Sequence, residues 1–210
     1  SSDISATPFY YSQENGDKVL LIDANFVKNN GYNNYQDVDK IDNRLKLSLQ
    51  QYFTEGESRG YDVYTIPYDR ELGPYGELGP YPTLDLMDNY DVVIWTQGDH
   101  NQRNITIWKE CIGDYLDQGG SLWIMGQQFL TALNGSDGPR KSGDFEYDYF
   151  MIDNIRNNEG TPNPLIGVDG DEIFGDAEYS MGDTGIYYSD YGDWIKPREE
   201  AVGAFYTDRS

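Results

Sequence analysis

Residues Tyr90 to Gln128 alternate between two kinds of hydrophobic pattern, and that alternation limits the folds open to the chain. Asp91-Val-Val-Ile-Trp-Thr96 is a short apolar run, Ile105 to Gln118 carries apolar residues at helical spacing, and Ser121-Leu-Trp-Ile-Met125 is a second short run. Two short apolar runs joined by an amphipathic helix make a βαβ unit. Its strands run parallel, because the helix returns the chain to the starting end of the sheet. Gly119-Gly120 stops the helix, and Asn104 or Thr106 is placed to cap it.

The same pattern extends in both directions. Lys18-Val-Leu-Leu-Ile-Asp23 is an unbroken apolar run ending in an acid, the pattern of a central strand buried on both faces. After the polar Ala24 to Tyr35, Val38, Ile41, Leu45, Leu49, Tyr52 and Phe53 recur at helical spacing, with Asp37 or Asp39 as the N-cap and an end near Gly56. Tyr61 to Ile66 alternates as a strand and is stopped by Pro67. Leu84, Leu86 and Met87 make a helical turn before the Asp91 strand, and Gln127 to Leu133 a short helix after Met125. Glu71-Leu-Gly-Pro-Tyr75 recurs as Glu77-Leu-Gly-Pro-Tyr81, and its Gly-Pro pairs predict a protruding loop with exposed tyrosines.

Beyond Met125 the pattern shortens. Asn134 to Gly143 is turn-rich and expected at the surface. Phe145, Tyr149, Ile152 and Ile155 continue at helical spacing. Leu165 to Val168, Glu172 to Phe174, Gly185 to Tyr188 and Ala201 to Tyr206 are brief strand candidates. They are expected at the edges of the sheet, with Ala201 to Tyr206 joining it. The 210 residues are enough for one domain with a full core, expected from Lys18 to Asp208 and preceded by an arm or linker over Ser1 to Asp17.

Charge narrows the partners. Fifteen Lys and Arg against 37 Asp and Glu leave −22, with no long run of like charges, which predicts a folded, solvated acidic surface. Nucleic acid is excluded as a partner, because phosphate contacts need clustered basic residues. No stretch approaches the ~20 apolar residues of a membrane span. Cys111 is the sole cysteine, so no intrachain disulfide forms, and its place beside Trp108 and Ile112 predicts a small core residue. Asn104-Ile-Thr106 and Asn134-Gly-Ser136 match the N-glycosylation acceptor pattern. With the 19 tyrosines and the scarcity of cysteine, they point to an extracellular or cell-surface protein.

The order strand, helix, strand, short helix, strand, helix, strand implies an α/β fold with a doubly wound, mostly parallel sheet of the flavodoxin type. Tyr115-Leu-Asp-Gln-Gly-Gly-Ser-Leu-Trp-Ile-Met-Gly-Gln-Gln128, preceded by Tyr90-Asp-Val-Val-Ile-Trp95, resembles the class I glutamine-amidotransferase-like modules of large secreted bacterial and archaeal proteins. Val168 to Phe174, Tyr191 to Pro197 and Ala201 to Tyr206 are similar to the later segments of those modules, so the resemblance covers roughly 18–208. Catalytic members hold a nucleophilic cysteine in a Gly-x-Cys-x-Gly elbow. Gly126-Gln127-Gln128-Phe129-Leu130 stands in that place, and the single histidine, His100, lies upstream of it. An amide cannot be activated as a nucleophile by a neighbouring base. The resemblance therefore implies the fold without the parent reaction.

Ligands of such sheets sit at the carboxyl ends of the strands. Asp23, Asn25, Thr96, Gln97, Asp99, His100, Gly126 and Gln127 fall there, a set of acids, amides and one imidazole able to bind a sugar, or a metal ion through Asp23 and Asp99. The structural alternative is that Asp23 and Asp99 cap loops or helices while the amides close turns. Asp169, Asp171, Glu172 and Asp183 offer oxygen ligands for calcium, the one cofactor the sequence suggests. The functional expectation is a noncatalytic binding, assembly or spacer module, whose partners are other domains of a larger secreted protein, copies of itself, or carbohydrate. Two alternatives are a hydrolase or carbohydrate-active enzyme using the carboxyl-end crevice with Asp23, Asp99 and His100, and a structural subunit of a surface layer or filament.

Overall fold

The computed structural model describes residues 18–23, 45–51, 61–66, 81–96, 105–125, 130, 133, 137–156, 165–167, 178–179, 194–201 and 205–206. The chain divides into two compact units, Ser1–Phe129 and Leu130–Ser210.

The first unit holds a four-stranded, all-parallel sheet in the order β2-β1-β3-β4. Its strands are β1 (Val19–Asp23), β2 (Tyr61–Thr65), β3 (Val92–Thr96) and β4 (Ser121–Met125). Three expected helices fall on its described residues, α1 (within 45–51), α2 (Leu84–Met87) and α3 (Ile105–Asp117); of the fourth, Gln127 to Leu133, only Leu130 and Leu133 are described, both helical and both in the second unit. The unit is thus mixed α/β, with each strand where its apolar run predicts it.

Strand alternation sorts the core into two layers. Val19, Leu21 and Ile94 face one way, and Leu45 and Leu49 of α1 pack against them together with Val63, Val92 and Met125. Leu20, Ile22, Val93 and Trp95 alternate with these and are almost fully buried. On that second face the Trp95 and Trp108 rings lie 4.5 Å apart, which seats α3. Helices therefore cover both faces, which is why β1 and β3 read as continuous apolar runs.

The α3 to β4 connection is a Schellman turn. The Gly119 N–H donates to Leu116 O at 3.0 Å and the Gly120 N–H to Tyr115 O at 3.1 Å, with Gly119 at φ 92°. Tyr115 then ties the lower end of the sheet, its hydroxyl donating to Tyr90 O at 3.0 Å and Ser121 O at 3.4 Å. Tyr81 departs from expectation: it is half-buried, its ring 5.4 Å from that of Trp108.

In the second unit two expectations are corrected. Phe145 to Ile155 is not one helix: α4 (Phe145–Phe150) ends at Met151, which adopts φ 52°, and β6 (Ile152–Arg156) follows. The late strands do not extend the parallel sheet. β6 pairs antiparallel with β5 (Gly138–Pro139) and β9 (Trp194–Pro197), and β7 (Leu165–Gly167) pairs antiparallel with β8 (Glu178–Tyr179) and β10 (Phe205–Tyr206). The strand candidates Glu172 to Phe174 and Gly185 to Tyr188 lie outside the described residues.

Candidate functional site

Thr65, Asp23, Thr96 and Met125 end the four strands in one register row at the carboxyl edge of the sheet. Asp23 and Thr96 are direct neighbours in that row. Both are buried, at 7% and 5% exposure. Thr96 Oγ1 donates to Ile22 O at 3.4 Å, so its hydroxyl serves the sheet. Asn25, Gln97, Asp99, His100, Gly126 and Gln127 follow these strand ends in sequence and lie outside the described residues.

The Asp23 carboxylate accepts a charge-assisted hydrogen bond from Lys46 Nζ at 2.7 Å. Lys46 was not among the residues expected at the site. Its place follows from α1: Leu45 and Leu49 fix the helix on the sheet, and helical side chains tilt toward the helix N-terminus. That tilt carries Lys46 Nζ toward the carboxyl edge. Tyr61 Oη donates to the Lys46 carbonyl at 3.0 Å, which holds the same turn of α1 against β2. The signal in the sequence was a lone lysine between Leu45 and Leu47, inside an apolar helical stripe.

The pair is asymmetric, with the Asp23 side chain 9% exposed and that of Lys46 33% exposed. Replacing Lys46 leaves a buried carboxylate without this cation, but solvent reaches the lysine side and tempers the cost. Lys46→Met is therefore expected to lower stability by about 1–2 kcal/mol in urea unfolding. A change within error would show the pair to be energetically neutral.

Cys111 on α3 is half-buried, with Sγ 3.6 Å from Met87 Sδ and 3.8 Å from Pro82 O. Burial, with the negative charges of Asp114 and Asp88, pushes its thiol up to about 11. At pH 8 only about one molecule in a thousand then carries the reactive thiolate. Native protein is expected to resist a chromogenic disulfide reagent at pH 8 and to react fully in guanidinium. Rapid labelling of the native state would contradict the packing described here.

Among the described residues no three His, Cys, Asp or Glu side chains gather where they could hold a metal ion. The calcium candidates Asp169, Asp171, Glu172 and Asp183 and the acceptor asparagines Asn104 and Asn134 lie outside the described residues. No helix among the described residues is long and apolar enough to cross a membrane. Comparison of the chain with known protein families, curated proteins and solved structures finds no match.

Proposed function

We propose that the chain is a noncatalytic binding, assembly or spacer module of a secreted or cell-surface protein, built on a flavodoxin-type sheet like that of class I glutamine amidotransferases. The observation that carries this is the Asp23–Lys46 ion pair. A general base needs a carboxylate that can reach a substrate proton. Asp23 is instead buried and joined to an ammonium that sits on a helix packed across the sheet. Its role is to anchor α1 to β1.

Two further features support the assignment. The strand order β2-β1-β3-β4 matches the first four strands of a flavodoxin-type sheet. Directly after β4, Gly126-Gln127-Gln128 carries amides where the amidotransferase thiol would stand. The charge of −22 suits a module that must stay soluble among other domains.

The test is turnover. Incubation with glutamine, and with nitrophenyl esters and glycosides, is expected to release ammonia or nitrophenol no faster than buffer. Hydrolysis that is abolished by Asp23→Asn, in a variant that keeps its cooperative unfolding, would instead make Asp23 a reacting group and the chain an enzyme.

A further inference from the structure

We draw no further inference here: the strongest candidate, the surface patch of β4 around the 53% exposed Trp123, carries no proposal because nothing among the described residues shows what covers it.

Discussion

Gly120→Ala is expected to destabilise the first unit by about 3 kcal/mol or more, because the new methyl would land on the ring of Tyr115. Gly120 ends the Schellman turn after α3, and its lack of a side chain lets that turn close directly against the tyrosine ring. The ring has nowhere to go. Tyr115 is 2% exposed, and its hydroxyl is held by Tyr90 O and Ser121 O at the entries to β3 and β4. Moving it breaks both contacts; leaving it forces the backbone of β4 out of register. Against a total stability of about 5–15 kcal/mol, the loss should lower the urea midpoint markedly. The same substitution in a Tyr115→Leu background should cost much less than the two single changes added together. Simple additivity would mean that the collision is not the cause. By contrast, Gly119→Ala meets empty space and carries only the penalty of a left-handed backbone, about 1 kcal/mol.

Removing one member of the Arg140–Glu146 pair is expected to be the other large loss. Arg140 was expected in a surface loop, yet it is 7% exposed, and Glu146 on α4 is 1% exposed. Arg140 Nε lies 3.8 Å from Glu146 Oε2, and Arg140 Nη1 donates to Gly138 O at 3.0 Å. The pair thus joins β5 to the start of α4 inside the second unit. Both charges have left water, so deleting one removes a counter-charge from the other where water solvates it poorly. Arg140→Met or Glu146→Leu alone should each cost about 3–5 kcal/mol, read by urea unfolding of the full chain. The double change replaces both charges with apolar groups and should recover most of that loss. If each single variant loses less than about 1 kcal/mol, water reaches the pair and the second unit is looser than its burial indicates.

The parallel sheet was legible in the sequence because its two central strands, β1 and β3, are buried on both faces. Such strands are apolar at nearly every position, as in Val19 to Ile22 and Val93 to Trp95, and their five-residue length suits a strand better than a helix. The Gly119-Gly120 stop was equally legible, since a left-handed residue after a helix favours glycine. The turn at Met151 was not. Ile152 and Ile155 are both buried although three residues apart, which in a regular strand would put them on opposite faces. A shift in the β6–β9 register between Ile152 and Asn154 lets both point inward, and so the strand imitated helical spacing. A methionine at φ 52° gave no warning, because glycine and asparagine are the usual residues there.

The candidate site was half legible for a related reason. Asp23 and Thr96 were found because position alone, at the ends of apolar runs, places them at the carboxyl edge. Lys46 was missed because its role depends on how α1 lies across the sheet, a contact 23 residues distant in the chain. Trp123 was read as one more apolar residue of a strand. Its exposure follows from which strands and helices flank it, and strand periodicity carries no information about that.

Asp23 anchors α1 to β1 through Lys46, and a double-mutant cycle measures that directly. Urea unfolding of Asp23→Asn, Lys46→Met and the double variant is predicted to give a coupling of at least about 1 kcal/mol, with none of the variants gaining or losing turnover. Coupling near zero, with hydrolytic activity lost in Asp23→Asn, would contradict it and place Asp23 in a working active site.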